Sequence, residues 1–314
     1  MPQLRFRMAI REDTPEVVAL MNATFRTPLD VATWEWYVYG NPFGPSRVYL
    51  ALEPDRDVIA GAVGYAPLPL RMAGASVMGD YAHHLAIKPA YRDTMSYMAL
   101  LRHSLKAQAC GPTALAIGPP NRTAYPIHKG LMQWRDFGFL DCLRKPSPQG
   151  REHSCRELKT FPDEFDRFYA RVSRNLNFCV EKTRGWMNWR FCQRPDSPYT
   201  VYAAADSNGG LSGYVVLKQW CESDGYRKAH ILDLHAVDDH AMSQLLAAAE
   251  CYATGCGELN LWAVQWYPYR PFLEAIGFSA GHRQPLLARP YDGTTIAYPG
   301  GSCSLMYGDG DTQY

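Results

Sequence analysis

Segment 78–85 of the sequence brings together side chains that can move a proton near neutral pH. It reads MGDYAHHL, and its two histidines are the residue type that changes charge closest to pH 7. Strand alternation would put Asp80 and His84 on one face and Tyr81 and His83 on the other, so the histidines could not serve equally. Adjacent histidines in a strand are also often one packed and one exposed residue. The segment is still the first candidate for a general base.

A second group of candidates is mainly aromatic and lies in the second half of the chain. The sequence has 20 tyrosines and 8 tryptophans, and aromatic faces can stack on sugars and bases. Most of these rings are expected to be core residues. The candidates for substrate contact follow a predicted strand, and an Asp-x-His pair precedes them: Trp262, Trp266, Tyr267, Tyr269, Asp233 and His235. His235 beside Asp233 is also the second place to look for a base.

The overall composition restricts the class of protein. The chain has 314 residues, roughly twice the usual length of one domain, and 47% of them are hydrophobic while 20% are charged. This balance excludes a disordered, collagen-like or coiled-coil protein. Thirty-two Lys and Arg residues against 31 Asp and Glu give a net charge of +1, which is not the charge of a general nucleic-acid or membrane-surface binder.

The nine cysteines show neither a CxxC pair nor a companion histidine spacing, so we expect no disulfide framework and no metal site. The first residues are charged and lack a signal-peptide core. The most apolar stretch, 58–78, is interrupted by Pro67, Pro69 and Arg71 and predicts no transmembrane helix. We therefore expect a protein of the reducing cytoplasm.

An internal repeat organises the chain. Trp36 precedes Val48 by 12 positions, and Trp189 precedes Val201 by the same 12 positions. An apolar-x-Gly segment and an aspartate follow in each half, and their spacings in the two halves agree to within one residue. Four tryptophans recur at corresponding places, which argues that they are structural: Trp34, Trp36, Trp186 and Trp189. The repeat indicates two copies of one fold.

Each copy shows the same order of predicted elements. Helix 14–24 is followed by strands 48–52, 58–65 and 76–87, helix 95–108 and strand 114–117. The second copy has helix 162–172, strands 200–205, 211–219 and 229–237, helix 240–254 and strand 258–264. The pattern predicts an α+β fold, a mixed sheet flanked by helices, in two domains. We place these domains at 1–145 and 158–314, with a linker at 146–157.

Two motifs resemble the GNAT superfamily of acyl-CoA-dependent N-acyltransferases. They are LAIKPAYR at 85–92, running into a helix, and PPN at 119–121, closing the next strand. A narrower resemblance rests on W-x-W before NPFG, on PPN-x3-YP, on the WR opening of the second half and on the ending GDGDTQY. These motifs look like those of tandem-GNAT sugar N-acyltransferases that act on nucleotide-linked amino sugars.

The resemblance implies a site for the pyrophosphate of acetyl-CoA or another acyl-CoA at the helix after the first motif, where unpaired backbone amides attract anions. The positions concerned are Leu85, Ala86, Ile87, Arg92, Asp93, Thr94, Met95, Ser96 and Tyr97. The family has glycines where Met95 and Tyr97 stand, and Asp93 would repel a phosphate. Because the second copy has two aspartates at 238–239 instead of an arginine-led turn, we expect CoA only in the first copy.

The resemblance also assigns chemical roles. A backbone N–H near Ile87 would meet the thioester carbonyl, and the base would lie on the face of Tyr81 and His83 unless a bulge shifts the strand. The family's acid, a tyrosine, falls near His128, and Tyr125 lies one helical turn before it. Asn121 would cap the helix or bind the pantetheine amide.

The function expected from these residues is transfer of an acyl group from acyl-CoA to a primary amine, by direct attack in a ternary complex. The amine would belong to a nucleotide-linked amino sugar. Two alternatives stay open: an aminoacyl or peptidyl transferase of the cell-wall type, which uses charged tRNA, and a binding module whose acyl-CoA sites have decayed. The near-neutral charge weakens the first, and the missing loop glycines are the best support for the second.

Overall fold

The computed structural model describes residues 4–25, 28–196, 198–292 and 300–310 of the chain. The first half consists of β1 (Arg5–Met8), α1 (Thr14–Phe25), α2 (Val31–Tyr39), β2 (Arg47–Leu52), β3 (Ile59–Met72), β4 (Ala75–Ile87), α3 (Thr94–Gln108), β5 (Leu115–Gly118), α4 (Ala124–Leu131) and β6 (Arg135–Pro146). The strands and helices predicted for this half are therefore present, and β3 is longer than expected.

The second half repeats this order. It consists of β7 (Arg156–Leu158), α5 (Phe165–Ser173), β8 (Phe178–Val180), α6 (Arg184–Met187), β9 (Thr200–Ala205), β10 (Leu211–Cys221), β11 (Arg227–Ala236), α7 (Asp239–Tyr252), β12 (Glu258–Val264), α8 (Arg270–Ala275), β13 (Ser279–Pro290) and β14 (Cys303–Ser304). A π-helical turn, Asn188–Cys192, continues α6. Side-chain caps begin several helices: Asp30 accepts from Thr33 N at 2.6 Å before α2, and Asp238 accepts from Ala241 N at 2.8 Å before α7.

One mixed sheet runs through both halves in the order β1-β2-β3-β4-β5-β13-β6-β12-β11-β10-β9-β7. Within each half three antiparallel strands lead into a helix and then a parallel strand, as β4 with β5 and β11 with β12. The last strand of each half is exchanged: β13 pairs with β5, and β6 pairs with β12. The halves cannot separate without breaking these ladders, although the predicted linker begins where β6 ends.

Three hydrophobic clusters cover the two faces of the sheet. On one face, residues of α1, α2, α5 and α6 form a single cluster that spans both halves. On the other face, α3 packs over the first half and α7 over the second, each with its own cluster. The shared cluster and the exchanged strands make the centre of the molecule one continuous core.

Two tryptophans that the repeat brings into correspondence meet at this centre. The rings of Trp36 and Trp189 stack with centroids 5.0 Å apart and planes 28° apart. Trp36 Nε1 donates to the main-chain oxygen of Trp189 at 3.1 Å, and Trp189 Nε1 donates to that of Trp36 at 3.2 Å. The reciprocal bonds relate the two halves by a local two-fold arrangement, in agreement with the structural role predicted for these residues.

The tryptophan pair should be energetically coupled. Replacing either Trp36 or Trp189 with Phe removes one hydrogen bond and part of the stack, at a cost of about 2 kcal/mol of unfolding free energy. Because both interactions belong to the same pair, the double variant should cost about 1 kcal/mol less than the sum of the single variants. Urea unfolding measures all three values. The control is Trp36→Phe combined with Trp134→Phe, whose costs should be additive. Additive costs in the Trp36–Trp189 pair would contradict the coupling.

Candidate functional site

The candidate site lies where β4 and β5 separate. Their parallel ladder ends at the Tyr81–Ile117 pair, while β4 stays paired with β3 as far as Ile87. The edge of β4 at 82–87 therefore has no partner strand among the described residues. A cavity of about 790 Å³ fills the opening, with β4 on one side, the PPN motif on the other, and the starts of α3 and α4 at its walls.

A β-bulge in β4 sets the direction of both histidines. Ala62 pairs with Ala86 but Gly64 pairs with His83, so β4 carries one extra residue at this point. His84 occupies the left-handed region with φ of 49°. Alternation is thereby broken, and both histidines face α1 and α2. The expectation that they lie on opposite faces is wrong, because the bulge that the resemblance implies interrupts the strand.

The two imidazoles form a hydrogen-bonded pair inside the cavity. Their Nδ1 atoms are 2.8 Å apart, and both side chains are buried. The His83 ring also meets Tyr37 edge to face at 5.0 Å, and the His84 ring meets Trp34 at 5.1 Å. The His83 ring lies directly over Gly64, where a Cβ would be 2.1 Å from its Cε1 atom. A glycine at this position is therefore what allows His83 to lie flat on β3.

Asp80 lies on the opposite face of β4 and does not line the cavity. Its carboxylate is fully buried and accepts hydrogen bonds from Arg47 Nη2 at 3.0 Å, Thr113 Oγ1 at 2.6 Å, Gln108 Nε2 at 3.1 Å and the Tyr291 hydroxyl at 2.9 Å. A buried carboxylate with this many donors is held as a structural anion. The geometry thus corrects the prediction of Asp80 as a base and separates it from His84.

The start of α3 already carries an anion of its own. Asp93 caps this helix: its Oδ1 accepts from Met95 N and Ser96 N, each at 2.9 Å, and its Oδ2 accepts from Ser96 Oγ at 2.7 Å. The hydrogen bonds from Ser96 lower the pKa of Asp93, so the carboxylate is charged at neutral pH. The amides and hydroxyl predicted to bind pyrophosphate at these two positions are therefore occupied by the protein itself.

Some of the remaining predicted cofactor residues line the cavity, and others do not. Arg92 lines the cavity and donates from Nη2 to the Ile87 oxygen at 3.1 Å. Met95 is 57% exposed and points outward, while Ala86 belongs to the core on the α1 side. The positions that do face the cavity are Leu85, Ile87, Arg92, Asp93, Thr94, Tyr97 and Asn121.

Of the two predicted acids, only His128 lines the cavity. The Tyr125 hydroxyl donates to Asp136 Oδ1 at 2.9 Å and accepts from Lys129, which holds it away from the site. His128 Nδ1 lies 3.0 Å from the Ala124 oxygen and 3.3 Å from the Tyr97 hydroxyl. Burial lowers the pKa of His128 and raises that of Tyr97. The cavity thus contains a neutral imidazole beside a protonated phenol.

Asn121 holds the turn that leads into α4. Its Oδ1 accepts from Thr123 N at 3.1 Å and from Ala124 N at 2.8 Å. Of the two roles that the sequence left open for Asn121, the structure shows the capping of the helix. Asn121 also borders the cavity, so this cap fixes the start of α4, which carries His128 two turns further along.

The corresponding opening in the second half is closed by tyrosines. The ladder between β11 and β12 ends at Ile231–Leu261, as the first one ends at Tyr81–Ile117. The Tyr267 hydroxyl donates to the Leu234 oxygen at 2.5 Å, and the Tyr269 hydroxyl donates to the Ala236 oxygen at 2.6 Å. These side chains bind main-chain groups of Leu234 and Ala236 on β11. Tyr267 and Tyr269 fill the opening instead of lining the cavity, contrary to their prediction as substrate contacts.

Asp233 and His235 belong to a buried charge cluster next to this closed opening. Lys182 Nζ lies 2.8 Å from both carboxylate oxygens of Asp233 and 2.8 Å from Asp309 Oδ1. Burial, together with the Asp233 charge, raises the pKa of Asp309 to about 6. Burial and the Lys182 charge lower the pKa of His235 to about 3. A fully buried, neutral His235 outside the cavity does not serve as the base there.

The C-terminal segment 303–310 runs from this charge cluster to the cavity. Tyr307 lines the cavity and stacks on Trp262 with centroids 5.6 Å apart, so Trp262 touches the site only through Tyr307. Trp266 packs against the core shared by the two halves and does not line the cavity. Residues 311–314 of the GDGDTQY motif lie outside the described residues.

Several residues that line the cavity were not expected from the sequence. They are Thr24, Phe25, Tyr65, Tyr307 and Gln284, contributed by α1, β3, the C-terminal segment and β13. Gln284 reaches the first-half cavity because β13 is exchanged into the first half. Only the exchange of strands makes this contribution possible, and nothing in the local sequence signals it.

Solved structures with the same fold were found by comparison of the coordinates. A probable N-acyltransferase from Enterococcus faecalis matches with a TM-score of 0.72 and 14% identity, covering 93% of this chain and 73% of the other. A GCN5-related N-acetyltransferase from Anabaena variabilis matches with a TM-score of 0.70 and 15% identity, covering 92% and 73%. Saccharomyces cerevisiae N-myristoyltransferase with bound myristoyl-CoA matches with a TM-score of 0.64 and 10% identity, covering 92% and 84%.

These likenesses show that the chain has the fold of the GCN5-related N-acetyltransferases. The predicted α+β class, a mixed sheet flanked by helices, is confirmed, while the domain boundaries remain predictions. No protein-family model and no curated protein matches the sequence. Every helix in the described part of the chain is too short or too polar to cross a membrane.

Asp80 should matter for stability and not for chemistry. Asp80→Asn leaves Arg47 without its buried counter-ion and should lower the free energy of unfolding by about 3 kcal/mol. The surface pair of Asp57 with Arg5 provides the matched control, and Asp57→Asn should change stability by less than about 1 kcal/mol. Denaturant titration measures both. An Asp80→Asn protein as stable as the wild type would contradict the structural role.

Proposed function

We propose that this protein is an N-acyltransferase that moves an acyl group from acyl-CoA to a primary amine. The observation that carries the proposal is the opening between β4 and β5, because it combines an unpaired strand edge with a buried pair of histidines in one cavity. An unpaired edge offers main-chain groups to the amides of a pantetheine arm, and the histidines offer a base to the amine. The acyltransferases among the solved structures of this fold support this choice.

The donor is proposed to enter along the free edge of β4 with its pyrophosphate near the start of α3. Arg92 and Thr94 line this end of the cavity and can donate to phosphate oxygens. Asp93 opposes such binding, because its charge occupies the helix amides that would otherwise hold the anion. Binding of CoA therefore requires the Asp93 side chain to leave the helix or the pyrophosphate to rely on Arg92.

The shared proton between the histidines decides which nitrogen is basic. In an Nδ1–H···Nδ1 bond between neutral imidazoles, the ring that donates keeps an unprotonated Nε2, and the ring that accepts carries Nε2–H. One basic nitrogen is thus held in place by the other ring. As the amine nitrogen attacks the thioester carbon, the basic imidazole takes the ammonium proton, and the second imidazole stabilises the resulting cation by its Nδ1.

The free edge of β4 and Tyr97 complete the proposed chemistry. A main-chain N–H of the edge near Ile87 would donate to the thioester oxygen as negative charge develops on it. When the tetrahedral intermediate collapses, the carbon–sulfur bond breaks and the thiolate needs a proton. Neutral His128 cannot supply it if its Nδ1–H donates to the Ala124 oxygen, because its Nε2 is then unprotonated. We assign this proton to the Tyr97 hydroxyl beside it.

The acceptor we propose is the amino group of a nucleotide-linked sugar, as the sequence motifs imply. Only the first half is proposed to bind acyl-CoA, because tyrosines of the second half occupy the corresponding strand edge there. The second half would then support the site through Gln284 and Tyr307, which both reach the cavity. A cytoplasmic location, where acyl-CoA and nucleotide sugars are available, remains part of the proposal.

Affinity for CoA should respond in opposite directions to two neighbouring substitutions. Asp93→Asn keeps a helix cap but removes the negative charge, so the Kd for CoA should fall about fivefold. Arg92→Ala removes a charge-assisted contact and should raise the Kd roughly tenfold. Isothermal titration with CoA measures both changes.

The second half supplies the matched control for this titration. Asp238 caps α7 as Asp93 caps α3, and Asp238→Asn should leave the Kd unchanged. If Asp238→Asn changed the Kd for CoA and Asp93→Asn did not, the donor would bind in the second half. Absence of saturable CoA binding to the wild type would refute an acyl-CoA transferase and favour a non-catalytic module or a tRNA-dependent enzyme.

The histidine pair should behave as one catalytic unit. His83→Gln and His84→Gln should each lower kcat/KM by about 10²-fold or more, since either change removes the shared proton that fixes the basic nitrogen. The double variant should be little slower than the slower single variant.

Steady-state rates with acetyl-CoA and an amino-sugar acceptor, measured from pH 5 to 9, test the histidine pair. His240→Gln, at an exposed position on α7, is the control and should keep the wild-type rate. Tyr97→Phe should lower kcat, because the phenol acts on the leaving thiolate. Wild-type rates in both single histidine variants would place the base elsewhere.

A further inference from the structure

Three cationic side chains lie close together outside the cavity. They are Arg190 in the π-helical turn, Arg194 just after it and Lys218 on β10, and we refer to them as the cationic cluster. Lys218 and Arg194 approach the same ring: Lys218 Nζ lies 6.0 Å and Arg194 Cζ lies 5.5 Å from the centroid of Tyr199. The sequence gives no signal for this cluster, because its members come from separate elements.

Lys218 is the unusual member of the cationic cluster. Its side chain is only 8% exposed, yet its ammonium forms no hydrogen bond or ion pair with any described residue. Its contacts are with the aromatic faces of Tyr199 and Trp220, the latter at 5.7 Å. Burial lowers the pKa of Lys218, and the neighbouring Arg194 lowers it further. A buried ammonium without an anion is costly, and an anionic ligand would remove that cost.

The other two members have polar partners. Arg194 donates to the Tyr199 hydroxyl at 2.6 Å and pairs with the half-exposed Asp196. Buried Arg190 donates to two main-chain oxygens of the C-terminal segment, Gly308 O at 3.1 Å and Gly310 O at 2.6 Å. Arg194 therefore already has a carboxylate partner, whereas Lys218 forms no ion pair with any described carboxylate.

A row of packed rings joins the cationic cluster to the histidine pair. The guanidinium carbons of Arg194 and Arg190 lie 5.7 Å and 5.8 Å from the ring of Trp36. Arg190 also lies 6.0 Å from the ring of Tyr37, which meets His83 at 5.0 Å. The cluster is thus on the α1 and α2 side of the sheet, the face of the histidines, whereas the proposed donor phosphates lie at the start of α3 on the other face.

We propose that Lys218 and Arg194 bind an anionic group of the amine acceptor, a phosphate or a carboxylate, with the partly exposed Trp220 beside it to cover an attached ring. Identification of the ligand as the acceptor rests on the proposed function, but the binding of an anion at this place does not. The acceptor is the ligand we assign, because Lys218 and Arg194 lie on the same face of the sheet as the histidine pair and not on the face of the proposed donor phosphates.

Direct titration tests the site without any acyl transfer. Inorganic pyrophosphate and succinate are titrated separately into the full-length protein by calorimetry, in a buffer free of phosphate and carboxylate. Pyrophosphate should bind saturably, and Lys218→Gln should raise its Kd about tenfold or more, because a charge-assisted contact to a buried ammonium is lost. Arg194→Gln should have a similar effect and serves as a second variant if Lys218→Gln does not fold.

Two matched variants locate the binding. Lys228→Gln removes a lysine that is already paired with Glu222 and should leave the Kd unchanged. Because the proposed donor site would also bind pyrophosphate through Arg92, the titrations are repeated in the Arg92→Ala protein, where the effect of Lys218→Gln should persist. Saturable binding of succinate in place of pyrophosphate would identify a carboxylate as the ligand group. Lack of binding of either probe by the wild type would overturn the proposal. Pyrophosphate binding that Arg92→Ala abolishes and Lys218→Gln does not change would also overturn the proposal, because the anion would then bind at the donor site. Neither result would change the Kd for CoA, so the proposed function is tested separately.

Discussion

The separation of β4 from β5 is the constraint on which the site depends. A parallel ladder that ends at Tyr81–Ile117 leaves main-chain groups of β4 that must find other partners, because unpaired polar groups away from water are costly. In the first half a cavity opens beside these groups. The bulge at His84 belongs to the same irregularity, and it turns both histidines onto one face. The strand separation and the position of the proposed base are therefore consequences of one local departure from regular pairing.

The second half shows the other solution to the same constraint. There the hydroxyls of Tyr267 and Tyr269 bind the main-chain oxygens of β11, so the opening is satisfied internally and no ligand is needed. The buried cluster of Lys182 with Asp233 and Asp309 then anchors the C-terminal segment beside it. Because the fold is present in two copies, the first half can leave the edge of β4 unpaired. The second half holds the C-terminal segment that brings Tyr307 to the cavity.

Local patterns in the sequence predicted most of the elements, since alternation and helical spacing reflect which face is buried. The repeat of Trp36 and Trp189 indicated two similar halves, and the family resemblance indicated the bulge. The exchange of β6 and β13 could not be predicted, because it depends on pairing between residues far apart in the chain. The cap formed by Asp93 could have been recognised, because an aspartate before the first helical turn is a common N-cap.

Buried charged groups that have partners within the protein differ from a buried charged group that would need a ligand as its partner. Asp80 accepts from four neighbouring side chains, and Lys182 lies between two carboxylates, so both charges are neutralised within the fold. Lys218 is buried almost as deeply, yet its ammonium contacts aromatic faces and forms no ion pair with a described carboxylate. We therefore assign the missing anion to a ligand, and the position of Lys218 on the same face of the sheet as His83 indicates the acceptor as that ligand.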